Sequence, residues 1–363
     1  MIRVLQIVDS MQQGGIQSFL MNLYRNINRN EIQFDFLIFR NDTQWYEKEI
    51  NSLGGILYKA PGRRDGLIKC CKYLEYFFKS HKEYDIVHYN ASSLSFVEPL
   101  RYAKKNEVKT RIIHCHSSSF IGNPIHRILH KMHKRDIASL ANVYLSCSEP
   151  ATLWMFGNTS VQSKVQIILN GVDCKKFTYS DEKRKLYRNK LCIENNFVVG
   201  HIGRFSAVKN HLFLIEIFEA IKEINDNAKL LLVGDGKMRS EIETLVALKR
   251  LTNYVIFLGN RNDINDIMQA MDVLVMPSLY EGFPVTVVEA QASGLPVVMS
   301  NTITSEVVVN KNVVLKDLND SNVEWAETIL KKYKRVKNID NIIKRGFDIK
   351  NTVNILTKIY SNN

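Results

Sequence analysis

No run of about eighteen apolar residues, the length a helix needs to cross a bilayer, occurs anywhere in the 363 residues, so the chain is not expected to span a membrane by itself. It begins Met1-Ile2-Arg3-Val4-Leu5 and runs straight into an apolar strand ending at Asp9. There is no basic leader, apolar core segment or small-residue cleavage site, and a cytoplasmic location is the expectation. Cysteine is sparse: Cys70, Cys71, Cys115, Cys147, Cys174 and Cys192 form no C-x-x-C pair and show no metal-ligand spacing, which excludes a disulfide framework and fits reduced, buried thiols. Also missing is a G-x-G-x-x-G dinucleotide fingerprint. No acidic cluster has the spacing a hard divalent cation needs, so no metal is expected. A nucleic-acid binder is prompted by charge alone, and no recognised motif supports it.

What is present is the composition of a globular protein with a substantial core, 45% hydrophobic and 24% charged, in a chain long enough for two domains. The net charge is +12, and residues 1–170 carry 22 Lys and Arg against 14 Asp and Glu, so +8 of it lies there. An anionic partner follows from that balance. Residues 126–135 mix basic and apolar side chains at helical spacing. They read either as a helix on an anionic membrane surface or as a solvated helix with one core face.

Short runs rich in Val, Ile, Leu and Phe alternate with helical patterns, which predicts βαβ units and parallel sheets. In the first half the strands are expected at 2–8, 33–39, 55–60, 85–90, 111–116, 143–148 and 165–170. In the second they are expected at 197–202, 229–233, 255–258, 273–276 and 296–300. Beyond Leu315 the pattern predicts helices at 323–336 and 339–360, with no further strand. The fold class is therefore α/β, with two doubly wound domains whose ligands lie beyond the carboxyl ends of the strands, facing a shared central cleft. The expected boundaries are 1–172 for an acceptor-binding domain, 173–195 for a polar, charge-dense linker and helix, 196–337 for a donor-binding domain, and 338–363 for a terminal helix packing back toward the first domain.

Four segments carry chemistry. Residues Pro277 to Ala290 follow a strand and open a helix, with Pro284 expected in the first helical turn, where its missing N–H costs nothing. Backbone donors around Phe283 to Thr286 would meet an anion at the helix start, while Glu281 and Glu289 are spaced to accept hydrogen bonds from vicinal hydroxyls at two places on one elongated ligand. A strand-turn-helix corner with a capping glutamate and a surface charge explains the same residues. Gly203-Arg204-Phe205-Ser206-Ala207-Val208-Lys209-Asn210 follows the first strand of the second half, and Arg204 and Lys209 can converge on a diphosphate. Gln12-Gln13-Gly14-Gly15-Ile16-Gln17 joins the first strand to the first helix, and its glycines suit close approach of backbone to an anion, or simply a tight turn. His114-Cys115-His116 ends a strand, with both histidines on one side of the sheet.

These motifs, in this order and each on a strand-to-helix junction, resemble family 4 of the retaining glycosyltransferases, which have the GT-B architecture and a Glu-x7-Glu motif, here Glu281 to Glu289. The resemblance spans nearly the whole chain. It implies that Glu281 binds donor-sugar hydroxyls, Glu289 binds the ribose, Arg204 and Lys209 grip the diphosphate, and Gly282, Phe283, Pro284, Val285 and Thr286 line sugar and phosphate. It also implies that Gly14 and Gly15 face the donor diphosphate and acceptor, and that His116 lies beside the reaction centre. The family often has Glu where this chain has Gln17. Asn170-Gly171-Val172-Asp173 resembles the family's segment at the domain junction. The overall pattern is similar to bacterial enzymes of capsular or exopolysaccharide assembly, which implies a UDP-hexose or UDP-N-acetylhexosamine donor, a glycan or lipid-linked acceptor, and no cofactor. A nucleotide-sugar epimerase of the same two-domain architecture is the alternative.

Overall fold

Seven parallel strands build the first sheet: β1 (Ile2–Ile7), β2 (Ile32–Ile38), β3 (Leu57–Lys59), β4 (Ile86–Ala91), β5 (Thr110–Cys115), β6 (Val143–Ser146) and β7 (Gln166–Ile167), in the order β3-β2-β1-β4-β5-β6-β7. The computed structural model describes residues 1–118, 123–331 and 333–362. The chain divides into two units, Met1–Gly171 with Ile349–Asn363, and Val172–Asp348.

In the first unit β2 is buried along its whole length, as the strands of a sheet covered on both faces must be. Its one carboxylate, Asp35, is fully buried and compensated. Arg3 Nε donates to it at 2.9 Å, Tyr84 Oη at 2.8 Å and the Ile56 amide at 2.8 Å. Core packing comes from the Gly15–Asn26 helix, whose Phe19, Leu20, Leu23 and Tyr24 meet Phe34 and Phe36 of β2. The last helix, Ile349–Ser361, packs on that helix and on β1, and buries Leu356 and Tyr360 in the same core. The end of the chain is thus part of the first unit.

The second sheet has six parallel strands: β8 (Phe197–Ile202), β9 (Ala228–Val233), β10 (Val255–Gly259), β11 (Val273–Met276), β12 (Val297–Ser300) and β13 (Val313–Lys316), in the order β10-β9-β8-β11-β12-β13. Its core is built by Phe205, Leu214, Ile217, Phe218, Leu230, Leu232 and Trp325. Residues 174–190 form the helices Cys174–Phe177 and Asp181–Lys190, and Arg184 and Arg188, one turn apart, both reach Asp272.

Three expectations are corrected. A strand does occur at the edge of the expected helical tail: β13 pairs with β12 from Val297↔Val313 to Ser300↔Lys316, and four half-exposed edge residues are too few to show a period. The helix expected over 323–336 stops at Leu330. Beyond it, Arg335 donates to the carbonyls of Ser293, Met268, Gln269 and Met271, while the Val336 amide bonds the Gly294 carbonyl at 3.0 Å, ties that hold the chain extended there. The helix expected over 339–360 is two, Asp340–Lys344 and Ile349–Ser361, parted at Gly346, whose φ of +85° is the left-handed turn that closes a helix.

In both sheets the strand order reverses at one place, between β1 and β4 in the first and between β8 and β11 in the second. Crossovers leave a crevice there, at the carboxyl edge. The loops after β8 and β9 depend on glycine for their close approach. Gly234 has a φ of +130°, and a Cβ on it would stand 2.1 Å from the Gly203 carbonyl oxygen. Gly234→Ala is expected to lower the stability of the second unit by about 1–3 kcal/mol, read as a lower denaturant midpoint.

Candidate functional site

The loops after β8 and β11 are neighbours because the two strands are neighbours. They are stitched by a backbone bond from the Leu279 amide to the Val208 carbonyl at 2.8 Å. Across this seam Lys209 Nζ lies 2.6 Å from Glu281 Oε1, with only 17% and 12% of the two side chains exposed. Ser278 Oγ donates to the same oxygen at 2.8 Å. Ser278 itself is held in place, its carbonyl accepting from Ser300 Oγ at 2.6 Å and Thr302 Oγ1 at 2.8 Å. Gly203 makes room for the lysine stem, since a Cβ there would stand 3.0 Å from Lys209 Cε. Asn210, with a φ of 55°, turns the chain from the Lys209 loop into the helix His211–Ile224. Arg204 sits in the same loop and is exposed.

Beneath Gly203 lies a buried imidazole. His201 Nδ1 is 2.8 Å from the Val275 carbonyl and must carry the proton, so Nε2 is a bare acceptor, buried and without a partner among the described residues.

Past Glu281 the chain reaches the helix Val285–Ala292. Pro284 is not in its first turn, as expected, but immediately before it. With φ −81° and ψ 80° it is the centre of an inverse γ-turn, in which the Val285 amide bonds the Phe283 carbonyl at 3.0 Å. That amide is therefore committed inside the protein. Phe283, Pro284 and Val285 are buried, whereas Gly282 and Thr286 keep partial exposure. Glu289, on the helix, retains a partly exposed edge, yet burial raises its carboxyl to about 7, with Lys176 pulling the other way. A carboxyl so placed changes charge close to neutrality.

In the first unit, Gly14 is extended, with φ 175°, and precedes the helix; Gly15 opens it, exposed, with nothing within 4 Å of where a Cβ would stand. Internal packing therefore does not require glycine at 15. The residues around it are tied down by the Met11 amide to Gln44 Oε1 at 2.8 Å and by Gln17 Nε2 to the Ser10 carbonyl at 2.9 Å. Gln17 thus holds the loop.

His116 follows β5 and is buried, its ring packed against Phe19 and 4.0 Å from the His114 ring. Its hydrogen bonding is set by Asn90. Asn90 Nδ2 faces three acceptors, Gln6 Oε1 at 3.0 Å and the carbonyls of His88 at 3.2 Å and Ile7 at 3.5 Å, so Asn90 Oδ1 must be the atom 3.0 Å from His116 Nε2. Nε2 then carries the proton and Nδ1 is a bare acceptor, unpartnered among the described residues. From Asn90 the bond directions propagate through the layer. Gln6 Nε2 donates to Tyr360 Oη at 3.2 Å, Tyr360 donates to His88 Nδ1 at 2.7 Å, and His88 Nε2–H donates to His114 Nδ1 at 3.1 Å.

Sequence reasoning missed Asn90, His88, Gln6, Tyr360, Ser278 and His201. The signal for four of them was visible, namely polar residues set in otherwise apolar strands: Gln6 in β1, His201 in β8, and His88 and Asn90 two apart in β4. Nothing in the sequence tells which of them touch.

Comparison with known proteins agrees along the chain. Residues 13–176 match the family model described as Glycosyltransferase Family 4, and residues 196–335 the one described as Glycosyl transferases group 1. A Bacillus subtilis (strain 168) protein named as a glycosyltransferase, EpsF, is 32% identical over 99% of this chain and 96% of its own. The Escherichia coli UDP-Gal:alpha-D-GlcNAc-diphosphoundecaprenol alpha-1,3-galactosyltransferase is 33% identical over 54% of each. Among solved structures, Anabaena HepE in complex with UDP-glucose superimposes with a TM-score of 0.80 at 19% identity, covering 100% of both chains, a likeness of fold.

Burial of its imidazoles predicts that the protein loses stability in acid. Burial lowers His88 and His116 to about 3 and His211 to about 4, and holds His114 and His201 well below the usual 6.5. Below pH 6.5 the unfolded chain takes up protons that the folded chain refuses, so stability is lost as pH falls. Denaturant midpoints measured between pH 7.5 and 4.5 should drop steadily below about 6.5, each histidine contributing up to about 1.4 kcal/mol per pH unit.

Proposed function

From the premise that the chain belongs to glycosyltransferase family 4 and has the GT-B architecture, we propose that it moves a hexose or N-acetylhexosamine from a UDP-sugar to a glycan or lipid-linked oligosaccharide, with retention of configuration and without a metal ion. The setting we assign is capsular or exopolysaccharide assembly in the cytoplasm, at the inner face of the cell membrane. The observation that carries the reading is the meeting of Lys209 and Glu281, 72 positions apart in sequence, at the switch point of the second sheet. That is where an open α/β sheet binds its ligand. The named E. coli relative acts on a diphosphoundecaprenol-linked sugar, and the Anabaena protein of the same fold is solved with UDP-glucose, which supports the choice of donor and acceptor. The matched families are transferases, so the epimerase alternative gains no support.

In this reading Arg204 and Lys209 neutralise the diphosphate, whose negative charge grows as the bond to the anomeric carbon stretches. A lysine that leaves Glu281 for phosphate frees that carboxylate to accept from donor-sugar hydroxyls. Glu289 accepts from the ribose hydroxyls, with Gly282, Phe283, Pro284, Val285 and Thr286 shaping the wall. Within the first unit, Gly14 and Gly15 offer backbone to an anion or acceptor, and His116 offers Nδ1 as an acceptor to a sugar hydroxyl. The acceptor hydroxyl oxygen bonds to the anomeric carbon on the face from which the diphosphate departs, and its proton passes to the leaving phosphate oxygen. No enzyme nucleophile is needed, and a trapped glycosyl-enzyme adduct would defeat this step.

A thermal-shift panel of UDP-, GDP- and ADP-sugars should show preferential stabilisation by a UDP-sugar, and Lys209→Ala should weaken its affinity by about tenfold or more. Transfer should survive exhaustive chelation; restoration of activity only by added divalent cation sinks the metal-free part. Because Glu289 must be ionised to accept two hydroxyl bonds, UDP-sugar affinity should level off above pH 7. Below it, affinity should fall toward about tenfold per unit, a dependence that Glu289→Gln abolishes.

A further inference from the structure

The helix Pro124–His133 is built inside out. Its buried side chains are His130 and His133, whereas Ile125, Ile128 and Met132 stand 60%, 57% and 59% exposed. Both histidines bond one residue of the loop after β4, and His130 Nε2 also reaches the Trp154 carbonyl at 3.3 Å. His130 Nδ1 accepts from the Leu94 amide at 3.0 Å, and His133 Nδ1 donates to the Leu94 carbonyl at 2.6 Å. Trp154 lies flat on His130, ring centroids 4.3 Å apart, and its indole N–H reaches the Ser92 carbonyl at 3.1 Å. Asn123 caps the helix start by accepting from the Ile125 amide at 3.0 Å. The helix is thus anchored by its polar side at the carboxyl edge of the first sheet, and its apolar side is left outward.

Positions 125, 128 and 132 share one helical face. Single exposed apolar residues need no explanation, but three on one face of an anchored helix do. Leu153, next to the anchoring Trp154, is also 53% exposed. The helix and its flanks are basic: residues 123–135 contain Arg127, Lys131, Lys134 and Arg135 and no acid, and the acid that follows, Asp136, is paired with Arg101 at 3.2 Å. Lys134 turns inward to the Gly157 carbonyl at 3.3 Å, whereas Arg127, Lys131 and Arg135 are exposed.

We propose that this face docks the protein onto an anionic lipid bilayer, with Ile125, Ile128 and Met132 entering the acyl boundary and Arg127, Lys131 and Arg135 meeting headgroup phosphates. An occupant that is apolar at its centre and anionic around it matches both features, and a bilayer surface is both at once. The inference rests on the proposed lipid-linked acceptor. Docking here would bring the lipid to the same edge of the first sheet as the loop carrying Gly14 and Gly15 and the end of β5 at His116.

The test is cosedimentation of the full chain with vesicles of phosphatidylcholine alone and of phosphatidylcholine with about a third phosphatidylglycerol, at low and high salt. The expected result is retention on the anionic vesicles only, weakened by salt. The triple variant Ile125→Ser, Ile128→Ser, Met132→Ser and the double variant Arg127→Glu, Lys131→Glu should each lower the bound fraction by about tenfold. All five side chains are exposed, so melting temperatures should stay at the wild-type value; if the triple variant melts early, the double variant decides. The proposal is overturned if wild type is not retained on anionic vesicles, if the variants bind like wild type, or if the triple variant abolishes self-association while leaving vesicle binding unchanged. The UDP-sugar thermal shift, measured without lipid on the same samples, is independent of docking. Its absence in wild type would remove the transferase reading without touching the vesicle result.

Discussion

Two charges that are mostly withdrawn from water hold the candidate site together. Neither Lys209 nor Glu281 is free to wander, because a half-buried ion that loses its partner leaves the other charge poorly solvated. The pair exists because β8 and β11 lie side by side, and Gly203 leaves room for the stem of the lysine. Strand order, a glycine and an ion pair are therefore one device. In the proposed reading, a diphosphate does not have to attract a flexible lysine out of solvent; it competes for one already in position.

The first unit is organised by direction of hydrogen bonding rather than by charge. The amide of Asn90 is oriented by carbonyls that cannot reverse, and from it the donors and acceptors follow through Gln6, Tyr360, His88 and His114. Tyr360 comes from the far end of the chain, so the polar layer under His116 is complete only when the last helix is docked. Buried hydrogen bonds of this kind fix the orientation of the groups that make them. The fixed Asn90 amide gives His116 a single tautomer.

Much of this was legible beforehand. Long apolar strands flanked by helical periods announce themselves, and all seven strands of the first sheet and five of the second lie where the pattern put them. That Lys209 and Glu281 stand on strand-to-helix corners was legible too, since each follows a strand the pattern had placed. The four residues of β13 were not legible, because an edge strand that short has no period, and the helix ending at Leu330 was overruled by the pull of Arg335 on carbonyls far away in sequence. Pro284 was misplaced by one position because a γ-turn and a first helical turn make nearly the same demand on a proline.

Local chemistry, then, was decided by the sequence: where chain could be strand or helix, which corners carried phosphate-binding residue types, and that residues 126–135 mix basic and apolar character. Those properties depend on neighbours a few positions away. Which oxygen Lys209 grips, which nitrogen of His116 carries a proton, that the Val285 amide is already spent, and that Ile125, Ile128 and Met132 face out while two histidines face in, were decided only by the tertiary structure. Each of these turns on contacts between segments distant in sequence, and a helical period marks a face without saying which way it is turned.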